Sequence, residues 1–166
     1  MAGGCEYVYY QFKNIFDFVK DKLNLATHNQ WTCGKLLNSI NDFIVHNPDK
    51  VIITIENDGI HLLRTTTDTG YSFICVRTPL SSEDIGKDII LKSTCRGTGS
   101  SNVQTWFFKS DSSSINGGYV NVTNVFAEII KTNTIPENTS YVEFRFVPER
   151  TADITMALNN IQIYIQ

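Results

Sequence analysis

From Lys50 to the end of the chain, apolar side chains recur at every second position in short runs. A period of two places alternate residues on opposite faces of a β-strand. Turn residues separate these runs at intervals of roughly ten residues, as in the Asn57-Asp58-Gly59 hairpin signal. Because no helical pattern alternates with the runs, an α/β fold is disfavoured. We therefore predict a mainly β protein, an antiparallel β-sandwich or barrel.

The alternation predicts about eight or nine strands in this region. A Ser-, Asn- and Gly-rich stretch at 110–118 is expected to be a flexible loop. Trp106 and Phe107 are adjacent in one strand and must face opposite sides, so one of the two rings should be exposed. The strands are expected at residues 50–56, 59–64, 70–77, 88–95, 103–109, 119–132 with a break, 141–147, and 154–166 with a break at Asn159-Asn160.

The first part of the chain has a different period. Between Gln11 and Asn24, apolar residues recur at three- and four-residue intervals, which predicts an amphipathic helix. The same spacing predicts a second helix from Gly34 to His46. Asn47-Pro48-Asp49 should end it, because the residue before a proline avoids the α region. We therefore divide the chain into a helical attachment or oligomerisation segment at 1–48 and a β-sandwich at 49–166.

Two short helices with apolar stripes are not stable in isolation. The stripes either pair with a partner or with a second copy of the chain, or they cover an open face or edge of the sandwich. The sequence leaves both arrangements open. The residues expected at an assembly interface are Phe12, Phe16, Val19, Leu37, Ile40 and Ile44.

Charge and hydropathy exclude two classes of partner. The net charge is -3 at pH 7 and the pI is about 5.5, and no basic block is present, so a nucleic acid is not an expected partner. The first residues lack the basic and apolar regions of a secretory signal peptide. No apolar run approaches the ~20 residues that span a bilayer. We therefore expect synthesis in the cytoplasm and no membrane partner.

The four cysteines are Cys5, Cys33, Cys75 and Cys95, without CxxC pairing or a histidine at metal-ligand spacing. Inert structural thiols are expected, with a Cys75–Cys95 disulfide as the alternative. No cofactor is expected. A structural calcium ion bound by carboxylates is the alternative, although no DxDxDG spacing occurs. Its candidate ligands are Glu56, Asp58, Asp111 and Asp153.

Several ordered features of residues 50–166 resemble the jelly-roll domains related to carbohydrate-binding modules, which are common on phage tail and capsid-decorating proteins. The resemblance implies a two-sheet antiparallel sandwich, binding rather than catalysis, and oligomeric assembly on a virion. The features that carry it are Asn57-Asp58-Gly59, Tyr71-Ser72-Phe73, Asp88-Ile89-Ile90-Leu91-Lys92, Phe144-Arg145-Phe146 and Leu158-Asn159-Asn160-Ile161-Gln162-Ile163.

Sugar binding requires exposed aromatic rings with amide or carboxylate groups nearby, because a pyranose stacks its C–H face on a π face. Trp106 is the first candidate, since it follows a Gly- and Ser-rich loop. For each ring, packing in the core is the alternative. The candidate carbohydrate-binding residues are Trp106, Tyr71, Tyr119, Asn102 and Gln104.

No GxSxG, P-loop or HExxH motif is present, so we predict no enzymatic activity. The leading hypothesis is a non-enzymatic virion structural protein, a phage tail, fibre or capsid-decorating component that displays a jelly-roll binding module. Its partners would be other virion proteins or itself, as a homo-oligomer, and it would reside in the virion after synthesis in the host cytoplasm. The alternatives are a stand-alone carbohydrate-binding module that binds a surface glycan, and an enzyme of unknown type, such as one with a cysteine nucleophile paired with histidine.

Overall fold

The computed structural model describes residues 43–65, 70–150, 153 and 155–166. These ranges contain ten β-strands and two three-residue 3-10 turns, at Pro48–Lys50 and Ser82–Asp84. No helix in these ranges is long and apolar enough to cross a membrane. The strands are β1 (Ile44–His46), β2 (Val51–Glu56), β3 (Gly59–Arg64), β4 (Phe73–Pro79), β5 (Asp88–Gly97), β6 (Asn102–Lys109), β7 (Ser114–Asn121), β8 (Ala127–Thr134), β9 (Thr139–Val147) and β10 (Thr155–Ile165).

The strands form two antiparallel five-stranded sheets packed as a sandwich. Sheet 1 has the order β1-β4-β9-β6-β7, and sheet 2 has the order β2-β3-β10-β5-β8. Only the β2–β3 and β6–β7 hairpins connect neighbours within one sheet, and the other connections cross between sheets. The prediction of a mainly β, antiparallel sandwich is confirmed.

The core lies between the two sheets and fixes which residues of each strand face inward. In β9, Phe144 and Phe146 are completely buried, and Phe107 of β6 is 1% exposed. Full burial of such a side chain contributes about 1.5–3 kcal/mol relative to exposure. Because side chains alternate along a strand, the inward position of these rings places the intervening residues of β6 and β9 on the outer face of sheet 1.

The predicted second helix is wrong over its last residues. Ile44–His46 is a strand that pairs with β4, with Ile44 opposite Cys75. The hydrogen-bonding edge of β4 and the burial of Phe43 in the core outweigh the weak local preference for helix. Ile44 is 45% exposed and lies in the sandwich, although it precedes residue 49. The other predicted assembly residues, Phe12, Phe16, Val19, Leu37 and Ile40, lie outside the described residues.

Two segments predicted to interrupt the strands, the loop at 110–118 and the break at Asn159-Asn160, are wrong in their extent. The loop predicted at 110–118 is a short turn followed by β7, because Asp111 accepts hydrogen bonds from the backbone N–H (2.9 Å) and hydroxyl (2.6 Å) of Ser113 and tightens the reversal. The predicted break at Asn159-Asn160 is a register shift inside one continuous strand, β10. Asn160 takes a φ of 49° there, a conformation that asparagine tolerates better than most residues. The bulge keeps β10 paired with β5 on both sides.

A candidate ligand-binding cleft on the outer face of sheet 1

The outer face of sheet 1 carries a cleft of about 910 Å³. Its floor consists of outward-facing residues from neighbouring strands, which antiparallel pairing brings side by side. The cleft therefore draws together residues that are distant in the sequence. Two rows of cross-strand neighbours form the floor, namely Ile44-Cys75-Arg145-Gln104-Tyr119 and Arg77-Glu143-Trp106-Asn116.

All five residues predicted from the sequence to bind carbohydrate line this cleft: Trp106, Tyr71, Tyr119, Asn102 and Gln104. Tyr71 and Tyr119 are 50% and 62% exposed. Trp106 is partly exposed, whereas the adjacent Phe107 is buried in the core, so the predicted separation of these two rings is confirmed. The structure thus brings the candidates together, and their role in binding stays a prediction.

The outward side chains of β6 form a chain of hydrogen bonds along the cleft. Trp106 Nε1 donates to Gln104 Oε1 at 2.9 Å, and Gln104 Nε2 donates to Asn102 Oδ1 at 2.9 Å. Asn102 Nδ2 in turn donates to the carbonyl oxygen of Ser100 at 2.9 Å. Each amide keeps a second N–H and a further lone pair for a ligand. The chain holds the Trp106 ring in place and presents polar groups beside it.

A cluster of two arginines and one glutamate occupies the centre of the floor. Arg77 donates from Nε (3.1 Å) and Nη2 (2.6 Å) to Glu143 Oε1. Arg145 donates from Nε (2.9 Å) and Nη2 (2.7 Å) to Glu143 Oε2. The charge-assisted hydrogen bonds between Arg77 and Glu143 raise the pKa of Arg77 above its usual value. We call Arg77, Glu143 and Arg145 the arginine–glutamate cluster.

Aromatic rings surround the guanidinium group of Arg145. Its Cζ lies 4.6 Å from the ring centroid of Phe73 and 5.0 Å from that of Trp106. It also lies 5.4 Å from the centroid of Phe108, which stacks on Tyr141 at 4.7 Å with an interplanar angle of 9°. Cation–π attraction and stacking restrain these rings. The floor is therefore a preorganised surface of alternating rings and charges.

One end of the cleft is closed by the turn before β6 and the segment after β9. Glu149 accepts hydrogen bonds from the backbone N–H (3.0 Å) and the hydroxyl (3.4 Å) of Ser100. Gly99 has a φ of +62°, and a Cβ there would lie 1.6 Å from Glu149 Oε2, so only glycine permits this contact. Above this rim, Arg150 Cζ lies 3.5 Å from the ring centroid of Tyr71.

A bulge in β7 supplies the opposite rim. Asn116 and Tyr119 are three residues apart, so in a regular strand they would face opposite sides. A register shift between β6 and β7 places two residues, Gly117 and Gly118, opposite the single residue Thr105, and this one extra residue brings both side chains to the cleft. The amino group of Lys131 donates to the carbonyl oxygen of Gly117 at 2.9 Å, and burial lowers the pKa of this lysine. An inter-sheet contact thus fixes the bulge that orients Tyr119.

The buried thiols are not poised for nucleophilic attack. Burial raises the pKa of Cys75, in the cleft floor, to about 12, and the charge of Glu143 adds to this effect. Burial likewise raises the pKa of Cys95, in the core, to about 11. Both thiols are free and lie in different sheets, so the alternative of a disulfide between them is wrong. Since the thiolate is the nucleophile, these groups are inert at neutral pH.

Among the described residues, Glu56, Asp58 and His61 could hold a metal ion, since their ligand atoms lie within 4.8 Å of one another. They belong to the β2–β3 hairpin in sheet 2. The hydrogen bond from His61 (2.6 Å) holds the pKa of Asp58 below its usual value. Arg96 Nη2 lies 3.4 Å from the same carboxylate and disfavours a second cation. Asp111, a further calcium candidate, is engaged by Ser113, and the expectation of no cofactor stays a prediction.

The sequence predictions omitted the charged residues of the floor. Alternation in β9 places Glu143 and Arg145 on the face opposite Phe144, but it does not show that β9 lies between β4 and β6. Only that strand order brings Arg77 opposite Glu143. A pair of charged residues within an otherwise apolar and aromatic strand was the one available signal.

No protein-family model matches the sequence, and no curated protein matches it. Solved structures do resemble the fold. The enzymatically active domain of tailspike protein 4 from bacteriophage CBA120 superposes with a TM-score of 0.60 and 14% identity over 78% of this chain, which spans 20% of that domain. The N-terminal cellulose-binding domain of Cellulomonas fimi β-1,4-glucanase C gives a TM-score of 0.58 and 8% identity, covering 81% of this chain and 96% of that domain. The CBM22-1 xylan-binding domain from Paenibacillus barcinonensis Xyn10C gives 0.53 and 11%, covering 77% and 88%.

These similarities define the class of fold. The chain has the β-sandwich fold found in carbohydrate-binding modules and in part of a phage tailspike. At such low identity the likeness concerns the fold alone, and function must be argued from the cleft.

Proposed function

We propose that this chain is a carbohydrate-binding module whose cleft binds a saccharide across the outer face of sheet 1. The observation that carries the proposal is the arrangement of Trp106, Tyr71 and Tyr119 around one cleft, beside the amides of Asn102 and Gln104. Exposed rings can stack on the C–H faces of sugars, and adjacent amides can pair with their hydroxyl groups. The cellulose-binding and xylan-binding domains named above share this sandwich fold, which supports the proposal.

We further propose that the module binds without catalysis. Both described thiols have raised pKa values. Both oxygens of Glu143 accept hydrogen bonds from arginines, so this carboxylate is engaged within the floor and is not directed at a bound saccharide. Incubation with a bound oligosaccharide should therefore produce no new reducing ends. A steady release of reducing ends by the purified protein would overturn this part of the proposal.

The binding test is a glycan array followed by calorimetric titration of the best ligand. Replacement of Trp106 by alanine should weaken binding by about thirtyfold or more, since a central aromatic anchor contributes roughly 2 kcal/mol. Tyr119→Ala should also weaken binding. Tyr164→Ala is the matched control, because Tyr164 lies on β10 in sheet 2 and does not line the cleft. Equal affinities for the Tyr119 and Tyr164 variants, or no glycan binding at all, would contradict the proposal.

A role in a phage particle is the second candidate, favoured by the structural match to the tailspike domain. We propose that the module is displayed on a virion, with its cleft directed at a surface glycan. Genes for portal, capsid or tail proteins next to the coding sequence, and co-purification with particles, would support this role. A protein that remains apart from particles throughout a lytic infection would contradict it, without affecting the proposal of saccharide binding.

A further inference from the structure

The cleft differs in charge from the rest of the protein. At its centre, Arg77 and Arg145 are set against the single carboxylate of Glu143. The chain as a whole carries a net charge of -3, so this positive excess is a local feature. A cleft that binds only neutral sugars needs aromatic rings and amides that bind hydroxyl groups. Strand β6 already provides both, so neutral sugars do not account for the arginines.

Stability does not account for the arginine–glutamate cluster. Glu143 is 4% exposed, although it lies on the outer face of a sheet where strand alternation would allow a hydrated side chain. Burying a charge carries a large desolvation cost, and replacing a buried ionic triad with apolar residues is often neutral or stabilising. The cluster is therefore better explained by what it presents to the cleft than by a contribution to folding.

Glu143 holds both guanidinium groups without using up their donors. Each guanidinium has five N–H donors, and two from each group are directed at the carboxylate. One negative charge is set against two positive charges, so the cluster keeps a positive excess. The side chain of Arg77 is 46% exposed and that of Arg145 is 18% exposed. Both can therefore reach a ligand while remaining fixed in position.

We propose that the cleft selects an acidic saccharide whose carboxylate or sulfate group is bound by Arg77 and Arg145 while a sugar ring stacks on Trp106. The inference rests on the proposed saccharide binding and adds the class of ligand. Arg145 Cζ lies 5.0 Å from the centroid of Trp106, and both residues line the same cleft, so the charged group and the aromatic ring are neighbours there. Arginine is suited to this role because its planar fork matches carboxylate and sulfate oxygens.

The test compares acidic ligands with neutral partners that have the same sugar backbone. Titrations use a de-esterified oligogalacturonate and its fully methyl-esterified form as the carboxylate pair, and a carrageenan oligosaccharide and its desulfated form as the sulfate pair. At least one acidic ligand should bind about tenfold or more tightly than its neutral partner, and its affinity should fall as salt increases, since ion pairing is screened. The carboxylate and sulfate arms show which anionic group is preferred.

Substitutions of single arginines test whether Arg77 causes the preference for the acidic ligand. Arg77→Gln should abolish the preference for the acidic ligand, and Arg77→Lys should retain part of it. Arg96→Gln is the matched control, because Arg96 is similarly exposed (43%), pairs with a carboxylate and lies in sheet 2. Salt-independent binding with equal affinity for both members of each ligand pair would overturn the inference, and so would equal effects of the Arg77 and Arg96 substitutions. In both cases the proposed saccharide binding would stand. Failure of every saccharide, neutral or acidic, to bind would instead refute the proposed function and, with it, this inference.

Discussion

Arg77 and Glu143 lie directly opposite each other on β4 and β9, and both Nε and Nη2 of Arg77 donate to one oxygen of Glu143. The other oxygen is taken by Arg145, two residues further along β9. The carboxylate is buried, whereas the arginine opposite is 46% exposed. The pair thus joins a buried carboxylate to an arginine that is exposed at the surface of the cleft.

Replacing Glu143 by glutamine should destabilise the fold by about 1–3 kcal/mol, because two guanidinium groups lose charged hydrogen bonds. The loss should be smaller than for a fully buried pair, since water can hydrate the exposed part of Arg77. Urea unfolding measures this change in the free energy of unfolding. Glu128→Gln is the control, because Glu128 forms an exposed pair with Lys92 at 2.8 Å, and the loss of an exposed pair should change stability far less. Equal losses for the two variants would contradict this account of the cluster.

The stability of the protein should fall at alkaline pH. The unfolded chain releases the Cys75 proton near the ordinary pKa of 9.0, whereas the folded protein holds it up to about 12. Between these values the folded state binds one more proton, so stability falls by about 1.4 kcal/mol for each pH unit. Unfolding free energies measured across this window should decline less steeply for Cys75→Ala than for the wild type. Cys95 and Lys131 are present in both proteins, so their contributions cancel in the comparison. Parallel pH profiles would show that Cys75 does not titrate as described.

The sandwich and part of the cleft could be predicted because both depend on local alternation. The apolar phase of Phe144 and Phe146 identifies the inner face of β9, and the phase of β6 places Trp106 and Gln104 on the outer face. These assignments require only that a strand alternates. The prediction of mainly β structure and the placement of Trp106 succeeded for that reason.

The rest depended on contacts between residues far apart in the sequence. Strand order cannot be read from periodicity, so the pairing of Arg77 with Glu143 was not predicted. Ile44 follows a helical spacing, yet it pairs with β4, because tertiary contacts override a weak local propensity. The bulge at Gly117 has the composition of a flexible loop, and the hydrogen bonds from Lys131 and Asn133 across the two sheets, which hold it in place, could not be read from the sequence.

Assembly through the N-terminal part of the chain remains a prediction, and it can be tested with the 166-residue chain. Phe12 and Phe16 belong to the apolar stripe of the predicted helix at 11–24, whereas Lys20 falls on its polar side. The wild type should form a stable oligomer in size-exclusion chromatography with light scattering. The double substitution Phe12→Asp with Phe16→Asp should yield monomers, because charge on an apolar interface opposes association. Lys20→Glu should leave the oligomer intact. A wild-type monomer would refute this role for the stripe.

Gly118 and Gly86 both have a positive φ, but only Gly118 lies in the bulge beside the cleft. Substitutions at the two positions therefore distinguish the effect of backbone strain from the effect of cleft shape. Their φ values are +83° and +81°, and a Cβ would meet only Lys131 Nζ at 3.7 Å in the first case and nothing within 4 Å in the second. Alanine at either position should therefore lower the free energy of unfolding by a similar amount, about 1–2 kcal/mol. Of these two variants, only Gly118→Ala should weaken saccharide binding, because relaxation of that strain would disturb the bulge that turns Tyr119 toward the cleft.

Gly117→Ala should lower the free energy of unfolding more than either, since its Cβ would approach Thr105 and Phe107 at 3.0 and 3.1 Å. Thermal unfolding and calorimetric titration of the three variants measure both effects, and equal binding losses for Gly118→Ala and Gly86→Ala would show that the bulge does not shape the cleft.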